Sequence, residues 1–166
     1  MTSSLVGKIG LGALLLTGAL TGCSDGTGPD AQSQGMEATW AGQRWSGDAY
    51  ATLVQGDTLY LGAATPRNAG SVAQGSMRTR VVFHGPDTYP LGAGDAVLEY
   101  LVGGDALTGS YVSSRANAGT LQVTEYGNGW IAGRVSFEAT STYGSAPVGQ
   151  SAHFQGSFRA QVRSWP

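Results

Sequence analysis

The strongest constraint on the fold of this chain is a two-residue alternation of apolar and polar side chains. The alternation is longest in SAHFQGSFRAQVR, residues 151–163. One face of this segment would carry Ala152, Phe154, Gly156, Phe158, Ala160 and Val162, and serine, histidine, glutamine and arginine lie between them. Because successive side chains of a β-strand point to opposite faces, the pattern predicts a strand with one buried and one solvated face.

The same alternation recurs along the chain from Met36 onward, and no helical period competes with it. In GRVSFEA, Val135 and Phe137 fall on one face, opposite the polar residues. In MRTRVVFH, Val81 and Phe83 share a face with Met77. Strands with a single dry face belong to antiparallel sheets, and their dry faces need a second layer. We therefore predict an all-β antiparallel β-sandwich or flattened barrel of about eight strands.

Short glycine-containing stretches separate the predicted strands. QGD, residues 55–57, joins two of them, and GNG, residues 127–129, joins TLQVTEY to WIAGRVSF. Directly paired residues share a face, so the apolar residues on the two sides of GNG fit a loop of three residues. The last residue of such a loop is left-handed, which suits Gly129.

The segment before the predicted strands is different in character. Behind Lys8 lie twelve uncharged, mostly apolar residues, 9–20. A bilayer span needs roughly 20 such residues, so this length predicts a signal-peptide helix over residues 1–22. The sequence Leu20-Thr21-Gly22-Cys23 resembles the bacterial lipobox. The resemblance implies cleavage between Gly22 and Cys23 and acylation of Cys23. The alternative is an ordinary secretory signal beside an incidental cysteine.

These features divide the chain into three parts. Residues 1–22 form the predicted signal peptide, residues 23–35 a flexible tether rich in Gly, Ser, Asp and Pro, and residues 36–166 a single β domain. We expect an exported protein anchored to a bacterial membrane by lipid on Cys23. Ser24 does not match the enterobacterial signal for inner-membrane retention, which favours the outer membrane in a Gram-negative cell.

Composition restricts the expected partners. Without residues 1–22 the chain has eight arginines against eleven carboxylates, a formal charge of −3. Nucleic-acid-binding domains need a basic surface, so no nucleic-acid partner is predicted. The expected partners are membrane lipid, through acylated Cys23, and an envelope protein or glycan.

The candidate chemical groups do not converge in the sequence pattern. Both histidines, His84 and His153, fall on solvated strand faces, and Ser151 forms with His153 only a serine–histidine pair without an evident acid. Glu99 and Glu125 alternate in phase with apolar neighbours, which predicts that they point toward a nominally dry face and makes them the candidates for a glycosidase carboxylate pair. The alternative is that each side chain reaches water, because each lies near a strand end. We nevertheless predict no catalytic residue, no metal ligand and no cofactor.

Aromatic residues provide the remaining candidate site. Trp130 and Tyr126 flank the GNG turn and could stack on a sugar ring or a partner peptide. The predicted function is therefore a non-catalytic binding or structural domain of the cell envelope. Two alternatives stay open: a lipocalin-like carrier of a small apolar ligand, and a carbohydrate-binding or carbohydrate-active domain.

The order of several segments resembles a family of small bacterial lipoproteins that carry an all-β domain of unknown function. The segments are ATWAGQRWSGDAYAT, DTYPLG, GTLQVTEY, IAGRVSFEA and HFQGSFRAQV. They include a Trp after a glycine turn, here Trp45 after Gly42, and late strands with a G-x-F pattern at Gly156 to Phe158. The resemblance implies an all-β domain and a membrane anchor. It implies no activity, because the family has no assigned catalytic residues.

Overall fold

The domain consists entirely of strands and connecting turns. The computed structural model describes residues 33–40, 42–55, 57–66, 74–101, 107–115, 118–144 and 147–165. These residues form ten strands and no helix, which confirms the predicted all-β class. The strands are β1 (Gly35–Trp40), β2 (Gln43–Val54), β3 (Thr58–Ala64), β4 (Gln74–Val82), β5 (Thr88–Leu91), β6 (Ala96–Leu101), β7 (Leu107–Val112), β8 (Gly119–Gly127), β9 (Trp130–Gly144) and β10 (Ser151–Trp165).

All ten described strands belong to one sheet that closes on itself. Its order is β1-β10-β2-β3-β4-β6-β7-β9-β8-β5, with β9 also paired to β10 and β1 to β2. The ring is formed by strands paired in the order β2-β3-β4-β6-β7-β9-β10, and β10 pairs with β2 to close it. Closure brings the dry faces of all these strands together and leaves few free edges. The total of ten strands exceeds the predicted eight because β1, β8 and the four-residue β5 pair alongside the seven strands of this ring.

One pairing departs from the predicted antiparallel sheet. Residues 162–165 of β10 pair with residues 51–54 of β2 in parallel. The reason lies in β1, which pairs antiparallel with both of these strands. Two strands that are each antiparallel to the same neighbour must run parallel to one another. β2 and β10 therefore pair with each other in parallel past the first residue of β1, where β1 no longer lies between them.

The predicted faces of the three clearest strands are correct. In β10, Phe154, Phe158 and Ala160 are buried, whereas His153 and Gln161 are exposed. The β9 and β4 segments show the same alternation. The buried aromatic rings meet inside the ring, where Phe137 stacks on Phe154 with centroids 5.3 Å apart. This interior supplies the hydrophobic stabilisation that a domain without disulfides requires.

The turn between β8 and β9 differs from the predicted three-residue loop. Gly127 pairs directly with Trp130, so only Asn128 and Gly129 form the turn. Both have positive φ, 50° and 77°, the signature of a type I′ hairpin turn. The left-handed conformation predicted for Gly129 is thus confirmed. A β-bulge at Thr124 then shifts the register, so that residues farther from the turn still pair on the expected faces.

Aromatic side chains of the chain itself fill one end of the interior. Trp45 packs against Phe154, with centroids 5.8 Å apart, and Trp40 packs edge-on against Tyr111 at the same centroid distance. A Cβ placed on Gly75 would lie 3.2 Å from Trp40 Cζ3 and 3.2 Å from Trp45 Nε1. Glycine at position 75 therefore lets the two indoles close against the backbone.

Candidate functional site

The outer face of β8, β9 and β10 carries a cluster of Trp130, Arg159 and Glu125 beside the Asn128–Gly129 turn. The Arg159 guanidinium lies over the Trp130 ring, with Cζ 4.9 Å from the ring centroid. Arg159 Nη1 also lies 3.4 Å from Glu125 Oε2. The arginine is held between an aromatic ring and a carboxylate, and its side chain is only 22% exposed. Its Nε is buried without a hydrogen-bond partner.

The bulge at Thr124 explains why Glu125 belongs to this outer cluster. Before the bulge Val123 pairs with Gly133, and after it Glu125 pairs with Ala132. The extra residue reverses the alternation of β8, so Glu125 points outward although it follows two inward residues at odd positions, Leu121 and Val123. The prediction that Glu125 faces the dry interior is therefore wrong.

The two aromatic residues of the predicted stacking site lie on opposite faces of the sheet. Trp130 shares the outer face with Arg159, whereas Tyr126 pairs with buried Ile131. The Tyr126 ring packs edge-on against Phe83, with centroids 4.9 Å apart, at the end of the interior. The structure does not bring Trp130 and Tyr126 together. Because the sheet lies between the two rings, one ligand could not stack on both.

Glu99 also lies on the outer face, not on the predicted dry one. The inward residues of β6 are Ala96 and Leu98, both buried. Glu99 Oε1 lies 3.5 Å from Arg78 Nη2 on the neighbouring strand β4. Strands β7 and β9 separate β6 from β8 in the sheet order, so Glu99 and Glu125 occupy different parts of the outer surface. The structure therefore does not bring these two glutamates together as the carboxylate pair that a glycosidase would need.

His84 lies in an exposed turn that a tyrosine holds in place. The Tyr89 hydroxyl donates to the Gly85 carbonyl oxygen and accepts a hydrogen bond from the His84 backbone N–H at 3.1 Å. The His84 ring lies against the Tyr89 ring, with centroids 5.0 Å apart, and its Nδ1 is 3.8 Å from Asp87 Oδ2. These contacts stabilise the turn between β4 and β5 that is formed by residues 84–87, HGPD.

A serine–histidine contact that the sequence pattern does not single out lies on the outer face of β9 and β10. Ser136 Oγ is 3.2 Å from His153 Nε2, a distance that suits a nucleophile and its base. Glu138 pairs opposite His153, but its Oε2 lies 3.6 Å from Arg115 Nη1. The signal for this contact is the register between the two strands, which depends on the length of the β9–β10 loop.

The other predicted site residues lie outside the described residues. They are Gly22 and Cys23, together with the signal peptide and the tether as far as residue 32. Acylation of Cys23 therefore stays a prediction. In the part of the chain that the structure describes, no helix is long and apolar enough to cross a membrane. Across the same residues, no group of three or more His, Cys, Asp or Glu side chains could hold a metal ion.

Comparison with known proteins identifies no relative of this chain. No family model, no curated protein and no solved structure matches this chain. The resemblance to small bacterial lipoproteins, drawn from the segments quoted above, stays a prediction.

Proposed function

We propose that this protein is a lipid-anchored protein of the bacterial cell envelope whose β domain acts by non-covalent binding. The observation that carries the proposal is the order of its segments. A lipobox-like Leu20–Cys23 is followed by a polar stretch, and β1 begins at Gly35, only twelve residues after Cys23. Acyl chains on Cys23 would contribute about 0.8 kcal/mol per buried CH₂, enough with two or more chains for stable anchoring.

The arrangement of polar side chains supports binding over catalysis. Glu99 and Glu125 each face an arginine on the outer surface, and His84 lies within a turn held by Tyr89. Catalysis needs an acid, a base or a nucleophile that converge within hydrogen-bond reach of a substrate. Among the residues that the structure describes, the contact nearest to this arrangement is Ser136 with His153, which lies on an exposed strand face with no described carboxylate bonded to the histidine ring. The outer Trp130–Arg159 stack is instead a surface suited to holding a ligand or partner.

Complementation of a deletion strain tests both parts of the proposal. The Cys23→Ala variant should accumulate as an uncleaved precursor and fail to complement, whereas the matched Ser24→Ala variant should be cleaved and complement. The double variants His84→Ala with His153→Ala, and Glu99→Gln with Glu125→Gln, should complement because a binding domain needs no acid or base from these side chains, and the amide oxygen introduced by Glu125→Gln can still accept a hydrogen bond from Arg159. Immunoblotting controls for protein level.

Two outcomes would contradict the proposal separately. Normal cleavage and membrane retention of the Cys23→Ala variant would exclude the anchor. A histidine or glutamate double variant that is folded and normally abundant but fails to complement would exclude a passive binding domain.

A further inference from the structure

Exposed large hydrophobic side chains gather on one outer face of the ring. Seven such residues are exposed in the described part of the chain, and four of them lie on β2, β3, β4 and the end of β10. The four are Tyr50, Tyr60, Val82 and Trp165, with exposed fractions of 46%, 40%, 69% and 64%. Single exposed hydrophobic residues are ordinary, but several on one face indicate an interaction surface.

The strand register places these residues in adjacent rows. Trp165 pairs with Val54, Val54 with Thr58, and Thr58 with Val82. The next row contains Arg163, Thr52, Tyr60 and Arg80, and the third contains Tyr50, Gly62 and Arg78. Given the spacing of strands and of residues along them, the rows cover an area of about 14 by 14 Å. We call this surface the aromatic–arginine face.

Tyr50 lies flat on this face. A Cβ placed on Gly62 would come within 2.2 Å of Tyr50 Cζ and 2.3 Å of its hydroxyl oxygen. Glycine at position 62 therefore allows the phenol ring to rest on the backbone of β3. A ring in this position presents an apolar surface and a polar hydroxyl to whatever covers the face.

The charged residues within the rows of the aromatic–arginine face are all arginines, Arg78, Arg80 and Arg163. Arg78 and Arg80 have side chains 63% and 59% exposed, whereas their partners Glu99 and Asp95 are only 35% and 30% exposed. The N···O distances are long, 3.5 Å and 3.8 Å, so the guanidinium groups stay available to a further anion. Arg163 is exposed beside them and makes no ion pair with another described residue.

The chain arriving from Cys23 joins the domain at the edge of this face. Gln34 Nε2 donates a hydrogen bond of 2.5 Å to the carbonyl oxygen of Ala49, the neighbour of Tyr50 on β2. Gly35 lies twelve positions after Cys23, and a fully extended chain over that interval spans roughly 40 Å. An anchor on Cys23 thus keeps the aromatic–arginine face within reach of the bilayer that holds the acyl chains.

We propose that the aromatic–arginine face rests on the headgroup region of an anionic bilayer, the same bilayer that holds Cys23. Tryptophan and tyrosine favour the membrane interface, where their rings contact acyl chains and their polar atoms contact water. Arginines near the surface of an anionic membrane bind its phosphate groups. This proposal rests on the proposed function, because it takes the lipid on Cys23 as the anchor.

Site-specific quenching tests the contact in the full lipidated protein. Because acylation consumes the thiol of Cys23, a cysteine introduced elsewhere is the only free thiol and can carry a fluorophore. We would label Val82→Cys on the face and, as a matched control, Tyr143→Cys, since these positions are similarly exposed, at 69% and 61%. The variants are reconstituted into vesicles of phosphatidylethanolamine and phosphatidylglycerol that contain a lipid with a quencher near its headgroup.

The label at position 82 should be quenched at least twice as strongly as the label at position 143. Adding Arg78→Gln, Arg80→Gln and Arg163→Gln, or replacing phosphatidylglycerol by phosphatidylcholine, should remove this difference. Equal quenching at both positions would overturn the proposal and would leave the face to a protein or glycan partner. A chain without acyl groups on Cys23 is recognised beforehand by its mass, and it would overturn the proposed function together with this inference.

Discussion

At the scale of single residues, Arg159 shows how far the surroundings of a side chain depend on its neighbours. The position of Arg159 in β10 predicts that its side chain points to solvent. The structure confirms this direction, because Arg159 lies between the buried residues Phe158 and Ala160. Trp130 nevertheless covers the guanidinium, and Glu125 reaches it only because of the bulge in β8. The alternation thus predicts the direction of this side chain but not how much of it is buried.

Replacing Arg159 should therefore cost more than replacing an ordinary surface arginine. We expect Arg159→Ala to lower the free energy of unfolding by about 1 to 2 kcal/mol, from the lost stack on Trp130 and the lost packing of its methylene stem. The matched variant Arg163→Ala should change it by less than about 0.5 kcal/mol. Urea unfolding followed by tryptophan fluorescence measures both values. Equal effects would mean that Trp130 and Arg159 do not stack in solution.

At the scale of strands, the sequence is most informative where one strand is long and its neighbours are regular. β9 alternates between buried and more exposed residues from residue 130 to residue 142, and β10 does so over most of residues 151–162, so their faces follow from the pattern. The β6 segment AVLEYL has apolar residues at both parities, so its phase is ambiguous and Glu99 is assigned to the wrong face. The bulge in β8 leaves no clear mark in the sequence, which explains the wrong face of Glu125.

Glycine at position 133 lies where β8 and β9 leave no room for a side chain. A Cβ there would lie 1.9 Å from the carbonyl oxygen of Gln122, next to the residues where the bulge begins. We expect Gly133→Ala to lower the free energy of unfolding by about 3 kcal/mol or more, because β8 must move away from β9. The matched variant Gly127→Ala, whose Cβ would meet nothing within 4 Å, should cost less than about 0.5 kcal/mol. Thermal unfolding distinguishes the two, and a stable Gly133→Ala protein would contradict the described register.

At the scale of the whole molecule, the sequence predicts the class of fold but not the order of its strands. Hairpins such as β2–β3 and β8–β9 follow from local turn signals. The pairings of β4 with β6 and of β7 with β9 skip a strand, and no local pattern specifies them. The parallel contact that closes the ring depends on β1, whose approach to β10 requires glycine at position 156, where a Cβ would lie 2.6 Å from Ala38 Cβ.

The features of the candidate site also differ in whether the sequence alone predicts them. Local pattern predicts the lipobox and the exposed histidines, because each depends on a few neighbouring residues. The Trp130–Arg159–Glu125 cluster and the aromatic–arginine face depend on the register of three or more strands, so they become visible only in the folded ring. Both proposals also depend on the proposed lipid anchor at Cys23, which would place the closed β domain at a membrane.

Mass spectrometry of the N-terminal peptide of the protein, isolated from the membrane fraction, tests this anchor most directly. The first basic residue after Cys23 is Arg44, so trypsin should release residues 23–44 as one peptide. We predict that this peptide begins at Cys23 and carries the mass of a diacylglycerol on its sulfur. A peptide that extends upstream of Cys23, or one that contains Cys23 with a free thiol, would contradict the account of this protein as a lipid-anchored domain.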